Sequence, residues 1–343
     1  MHTAVLAEPQ RFELERREQP SPGPRDVLVA VRDVGICGSD VHYYEHGRIG
    51  DYVVENPLVL GHECAGVVVD AGSNVDRRIV GSRVAVEPGV PCRRCPHCKR
   101  GEYHLCEDVT FMATPPHDGA FREYVAWPAD FVYELPDSVS TTAGALCEPL
   151  SVGIHACRRG DVGVGDTVLI TGAGPIGLVT MEAARAAGAT DVIVTDVVPE
   201  KLALAADRGA DLTVDVSEID LAEAVLEYTD GLGVDVVVEA SGARSSIEST
   251  TDAVRRGGTV VFVGLAAEAT VSLDVLEIID NEIDARGSFR YRNTYDDAIE
   301  LLADDAVDVE GIVDFRSSLE GIEDAFQRAM EPDVVKGMIT VSE

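Results

Sequence analysis

Cys37, His62 and Glu63 set a thiol, an imidazole and a carboxylate into two Val-rich stretches that otherwise read as buried strand. These are ligand types that Zn2+ accepts. Taken singly, Cys37 reads as a small buried hydrophobe, His62 as a satisfied core histidine and Glu63 as an ion-pair partner. Taken together, and with a dinucleotide motif later in the chain, they read as a catalytic metal site. Such a site needs three protein ligands and one open position. Glu148, in LCEPLSVGIH, is a further carboxylate near the expected domain junction, where a cleft is expected. Spacing alone leaves the third ligand open between Glu63 and Glu148.

Cys92, Cys95, Cys98 and Cys106 form a second constellation, C-x2-C-x2-C-x7-C. Four soft ligands at short spacings suit a closed tetrahedral Zn2+ site. Iron–sulfur ligation is the main competitor, and disulfides come third in a reducing compartment. With no position left open, this site is expected to be structural, pinning a loop over residues 88–110. Cys64, Cys147 and Cys157 lie in apolar stretches and read as core thiols.

Gly172, Gly174 and Gly177 complete G-x-G-x-x-G directly after the strand-like DTVLIT and at the start of a helical pattern. In that context the glycines allow a tight turn, backbone approach to a pyrophosphate and close helix–strand packing. The helix N-terminus supplies N–H donors and partial positive charge to the phosphates. Asp196 ends the next strand, where an acid accepts the ribose hydroxyls of NAD and repels a 2′-phosphate. Lys201, five residues on, softens that preference. The competing reading is an ordinary glycine turn in an αβ protein.

The elements that must position these groups fall into two patterns. At 343 residues the chain suits about two domains. Residues 1–150 read as mostly β, with Val-rich strands over 26–34, 64–70, 83–87 and 120–127 and one short helix starting at Ser39. A longer helical stretch from Thr141 leads on. Residues 151–289 alternate near-continuous apolar strands with helices, which is the pattern of a doubly wound parallel sheet. The tail, 290–343, carries two helical patterns and a final strand.

The formal net charge is −33, and Lys99, Lys201 and Lys336 are the only lysines among 28 basic side chains. That balance opposes nucleic-acid binding. It also fits a salt-rich cytoplasm, where screening shortens to about 3 Å. No apolar run reaches the roughly 18–20 residues of a membrane helix, and the chain opens directly into a strand-like segment. The expected location is the cytoplasm.

These motifs, in this order, resemble the zinc-dependent medium-chain dehydrogenase/reductase superfamily, and within it the sorbitol (polyol, L-iditol-type) dehydrogenase family. The resemblance covers essentially the whole chain. It rests on GICGSDVHYYEHGRIGDYVVENPLVLGHE, FMATPPHDGAFREYV, GALCEPLSVGIHACRRG, TGAGPIGLVT and GSFRYRNTY. It implies a GroES-like catalytic domain, a Rossmann NAD domain, and a C-terminal segment returning to the catalytic side. It implies a catalytic zinc on Cys37, His62 and Glu63, with Glu148 close by as a ligand or bound to the metal's water. By the family pattern Tyr43, Glu148, Arg290 and Tyr291 contact the polyol, while Ser39, Phe111 and Thr114 line the pocket. Cofactor contacts fall on Ile176, Asp196, Lys201, Val263, Gly264, Leu265, Ser288, Phe289 and Arg290. Some animal members lack several of the lobe cysteines. All four are present here, which implies a second zinc per subunit. A homotetramer is also implied.

The chemistry expected from these parts is oxidation of a secondary hydroxyl. Zinc as a Lewis acid lowers the pKa of the hydroxyl, and hydride passes to a nicotinamide that the Rossmann domain presents. Glu148 or the metal's water accepts the proton, and Ser39 or His42 relays it. Arg290 and Tyr291 offer donors to the extra hydroxyls of a polyol, so substrates lacking them are rejected. The runner-up is a 2,3-butanediol or L-threonine dehydrogenase on the same scaffold. A non-catalytic zinc- and NAD-binding protein is the reading from another class.

Overall fold

Strand Asp26–Gly35 is buried along almost its whole length because it is paired on both sides. Its valines, Val27, Val29, Val31 and Val34, are β-branched side chains that pack well on a pleated surface, and each is nearly inaccessible. The computed structural model describes residues 1–266 and 269–342. By its contacts the chain separates into two units, Met1–Glu148 with Tyr295–Glu343, and Pro149–Thr294.

In the first unit a mixed sheet runs in the order Val132–Glu134, Arg83–Val86, Glu63–Ala71, Asp26–Gly35, Lys336–Thr340, Val313–Ser318, and Tyr124–Pro128 also pairs with Asp26–Gly35. Two of these strands come from the end of the chain. Helix Ile322–Ala329 carries Phe326 into the same core as Tyr44 and Phe121. Burying side chains of this size contributes about 1.5–3 kcal/mol each. The strand expected over 120–127 begins only at Tyr124. The backbone N–H groups of Gly119, Ala120 and Phe121 donate instead to the carbonyls of Val59, Gly61 and Leu60, at 2.7, 2.7 and 3.0 Å. They hold the segment that leads into His62.

Within this unit the short pair Gly89–Val90 and Thr110–Phe111 closes the neck of the cysteine-bearing loop.

In the second unit, six strands among the described residues form one parallel sheet. Numbered along the chain, their order is 3-2-1-4-5-6, that of a dinucleotide-binding fold. Leu169, Ile193, Val237 and Val260 come from four of these strands and share one core cluster. Parallel strands covered on both faces demand such apolar runs, which is why the α/β class was legible. Helix Pro175–Ala187 starts with proline in its first turn and ends at Gly188 in the left-handed region, φ 108°. That is a regular start and stop for a helix.

Candidate functional site

His62 and Glu63 enter at the start of strand Glu63–Ala71, and Cys37 precedes helix Gly38–His46. The strand pairing sets Gly35 opposite Glu63. One ligand atom each from Cys37, His62 and Glu63 lies within 4.8 Å of the others. Glu148 is not a member of this group among the described residues. It is buried and close enough to act electrostatically on Cys64 and Lys336.

Asp40 lies behind the three candidate ligands, fully buried. Its Oδ1 accepts the Gly61 N–H at 3.0 Å and sits 3.5 Å from His62 Nδ1. Its Oδ2 accepts the Cys37 N–H at 3.2 Å. A carboxylate on one imidazole nitrogen fixes the ring and leaves Nε2 for a metal. Burial works against a charged His62, but Asp40 and then Cys37 outweigh it and hold the imidazole pKa well above its ordinary value. That field favours positive charge at this spot, so the donor set and its electrostatics fit a divalent cation.

Lys336 Nζ reaches the same centre from the returning strand Lys336–Thr340, contacting Glu63 and the Ile36 carbonyl. Gly35 makes this possible, since a Cβ there would strike the Glu63 carboxylate and approach Lys336 Cε at 3.1 Å. Neither Asp40 nor Lys336 was picked out from the sequence. Their signals were an acid three residues after Cys37, at the N-terminal turn of a helix, and a rare lysine inside VVKGMITV.

Among the expected pocket residues of this unit, Phe111, Tyr43 and Thr114 lie beside the candidate metal ligands. The Phe111 ring packs on His62 with centroids 5.7 Å apart. Tyr43 is buried, bonds to Thr114 and feels the charges of Asp40 and His62; burial first, then Asp40, pushes its hydroxyl up to about 12. Ser39 is half-buried in the first turn of the helix, and His42 is exposed on it.

Cys92, Cys95, Cys98 and Cys106 also come within 4.8 Å of one another through their sulfurs. Backbone N–H groups point at three of them: Cys95 N to Cys92 Sγ at 3.4 Å, Cys98 N to Cys95 Sγ at 3.4 Å, and Cys92 N to Cys106 Sγ at 3.3 Å. N–H donors from Arg94 and Cys95 pull the Cys92 thiol down to about 6. Burial and the neighbouring thiols push Cys98 up to about 12. Four thiols so crowded need a cation before all can ionise, and all four positions would be taken by sulfur. The other thiols, Cys64, Cys147 and Cys157, are buried, and burial pushes each up to about 12.

In the second unit the glycine turn sits between strand Thr167–Thr171 and helix Pro175–Ala187. Gly177 must lack a side chain, because a Cβ would collide with the Gly172 carbonyl. Gly174 is the N-cap and Ile176 lies half-buried in the first turn. Asp196 Oδ2 accepts the Ala173 N–H at 2.7 Å, and Oδ1 accepts those of Val197 and Val198 at 2.8 and 3.0 Å. A cavity of about 330 Å3 opens beside them, lined by Gly172, Asp196, Ile219, Ser241, Ser246 and others. Lys201 is half-buried on helix Pro199–Asp207. Val263 and Gly264 follow strand Val254–Phe262, and Leu265 is 68% exposed. Ser288 donates its N–H to Phe262 O, the Arg290 guanidinium lies over the Phe289 ring at 4.7 Å, and Tyr291 is buried.

Residues 23–137 match the alcohol dehydrogenase GroES-like domain family, and residues 175–304 match the zinc-binding dehydrogenase family. The sorbitol dehydrogenase of Bacillus subtilis is 47% identical over 331 residues, covering 96% of this chain and 94% of that protein. Among solved structures, an Escherichia coli oxidoreductase/dehydrogenase of unknown specificity superposes with a TM-score of 0.96 at 37% identity, covering 100% of this chain and 99% of that one. The 2R,3R-butanediol dehydrogenase of Bacillus subtilis does so with a TM-score of 0.90 at 31% identity, covering 99% of each.

Proposed function

Since the chain belongs to the zinc-binding dehydrogenase family with an alcohol dehydrogenase GroES-like domain, we propose that it oxidises a secondary hydroxyl of a sorbitol- or xylitol-type polyol to the ketose. It is an NAD-dependent zinc dehydrogenase. The observation that carries the reading is the meeting of a thiol, an imidazole and a carboxylate in one group backed by a buried Asp40.

Cys37, His62 and Glu63 hold the metal in this reading, and Asp40 orients His62. Zinc, when bound, supplies the Lewis acidity that lets a substrate hydroxyl lose its proton near neutral pH. Glu148 accepts that proton, and Ser39 or His42 passes it to solvent. Phe111 packs on His62 and excludes water from its ring, while Tyr43 and Thr114 offer hydroxyls to the substrate. NAD, when bound, would supply the acceptor for the carbinol hydrogen and its electron pair as the C–O single bond becomes a carbonyl. Arg290 and Tyr291 donate to the remaining hydroxyls. Gly172, Gly174 and the N-terminus of helix Pro175–Ala187 would receive the pyrophosphate of NAD, and Asp196 would accept from its adenosine ribose. Cys92, Cys95, Cys98 and Cys106 hold a second, structural zinc.

Steady-state kinetics with sorbitol, xylitol, L-arabinitol, 2,3-butanediol and L-threonine test the substrate class. The expected result is the highest kcat/KM on a polyol. A preference for butanediol, which the likeness to the butanediol dehydrogenase keeps in view, or for threonine would replace the polyol assignment. Chelator-sensitive reduction of NAD by any of these substrates excludes a non-catalytic role.

A homotetramer in the cytoplasm is proposed alongside. Support comes from the exposed edge strand Asp284–Gly287 and from helix Val275–Asp280, whose Val275, Leu276 and Ile279 are 60, 70 and 63% exposed. Light scattering should give four times the chain mass; a monomer ends that reading. The net charge of −33 further supports adaptation to high salt. Full activity and secondary structure after dialysis into low salt would contradict it.

A further inference from the structure

Glu239 ends strand Val234–Glu239 and has no accessible surface, yet no cation pairs with it among the described residues. One of its oxygens takes every donor. Oε1 accepts from Ser241 N at 3.0 Å, Ser241 Oγ at 2.6 Å, Gly242 N at 3.0 Å, Ser246 Oγ at 3.1 Å and, more distantly, Thr171 Oγ1 at 3.4 Å. Oε2 is buried with no donor. The backbone carbonyl of the same residue accepts from Val263 N at 2.8 Å and Gly264 N at 2.9 Å.

Three strand ends therefore meet on one residue. Thr171 leads into the Gly172 turn, Ser241 and Gly242 lead into helix Arg244–Ala253, and Val263 and Gly264 follow strand Val254–Phe262. The sheet order reverses between Thr167–Thr171 and Val234–Glu239. In open parallel sheets the ligand crevice lies at that reversal, beyond the C-terminal strand ends. Gly172, Ser241 and Ser246 also line the cavity beside Asp196. The contact is tight: a Cβ on Gly264 would strike Gly242 N and come within 2.7 Å of Glu239 Oε2.

We propose that Glu239 is a positioning residue for the cofactor, fixing through its one acceptor oxygen and its carbonyl the three turns that form the nucleotide crevice. This rests on reading that crevice as the NAD site. Because only one oxygen accepts, the feature used is an acceptor in the right place rather than a charge. Glutamine, with its amide carbonyl at the Oε1 position, preserves it. Alanine removes it and leaves the Ser241 and Gly242 N–H groups without that partner.

The test is calorimetric titration of NAD into the full-length, zinc-loaded protein and its variants, with KM for NAD and for polyol measured in parallel. Glu239→Ala should weaken NAD binding about tenfold or more, the scale of losing several ordinary hydrogen bonds at once. Glu239→Gln should stay within about threefold of the parent, the scale of one such bond or less. The KM for NAD should rise with Kd while that for polyol holds, a split that partial unfolding does not produce. If Glu239→Ala does not fold, Ser246→Ala carries the test and should weaken NAD several-fold. A parent protein that binds no NAD removes the cofactor reading itself. A parent that binds NAD alongside a folded Glu239→Ala, or a Ser246→Ala, of unchanged affinity overturns only the positioning role. So does a Glu239→Gln as weak as Glu239→Ala.

Discussion

Lys336 Nζ lies 2.6 Å from Glu63 Oε1 and 2.5 Å from Oε2, and each side chain is 1% exposed. Burial opposes the lysine's charge, but Glu63, followed by Cys37, keeps its pKa above the ordinary value. The carboxylate of the candidate metal group thus already has a counter-charge in Lys336. Removing one partner of a buried pair strands the other, at a cost of about 3–5 kcal/mol. Lys336→Met should show that loss in the metal-free protein and a smaller one with zinc bound, because the cation then faces Glu63. Chemical denaturation with and without chelator checks it. An equal loss in both states would mean that Glu63 does not serve the metal.

The two cysteine groups differ in what their loss removes. Cys37 sits in the three-ligand group beside Phe111 and Tyr43, whereas Cys95 belongs to the four-sulfur loop. Cys37→Ser should abolish measurable turnover with near-parental melting. Cys95→Ser should lower the melting temperature and bound zinc while leaving residual activity. Activity assays with zinc counted per subunit by elemental analysis separate the two. Equal inactivation with intact folding in both variants would show the metal roles to be misassigned.

Local patterns explain what could be read in the chain beforehand. The glycine turn, the four cysteines and strands such as Val234–Glu239 carry their signal within a few residues. The apolar period and N-terminal proline of helix Pro175–Ala187 likewise lie within its own stretch. Glu63 and Lys336 stand 273 positions apart and meet only because Asp26–Gly35 pairs with both of their strands. No local period encodes that. Strand Asp284–Gly287 and helix Val275–Asp280 carry no sequence signal for the opposite reason: both are short and exposed and lack a buried face. Asp40 reads as an ordinary helix-start acid until Gly61 and His62 are brought against it.

Asp196, proposed above to accept from the cofactor's ribose, also serves the fold. Its two oxygens already accept three backbone N–H groups, from Ala173, Val197 and Val198. Asp196→Ala should therefore weaken NAD about tenfold or more, the scale of hydrogen bonds to a charged group. NADP should lose much less, because the carboxylate that repels its 2′-phosphate goes too. Dissociation constants for both cofactors on both proteins give the ratio. An unchanged ratio would take Asp196 out of cofactor selection.

Glu87 provides a pH test of the first unit. Its carboxylate is buried and accepts 2.8 Å hydrogen bonds from Tyr103, inside the cysteine loop, and from Tyr133, whose ring stacks on Tyr295 at 4.9 Å. Burial pushes its pKa from 4.5 to about 7, against the pull of the two tyrosines and with added push from Asp296 and Asp130. The folded protein then binds this proton more tightly than the unfolded chain does. The contribution is fully present below pH 4.5 and is lost as pH rises through about 7. Its size is on the order of 3 kcal/mol. Glu87→Gln cannot titrate. The stability of the parent relative to this variant should fall between pH 5 and pH 8, and urea denaturation at both ends measures it. A difference that stays flat across that window would mean that Glu87 is already ionised in the folded protein at the acid end, with Tyr103 and Tyr133 compensating its burial.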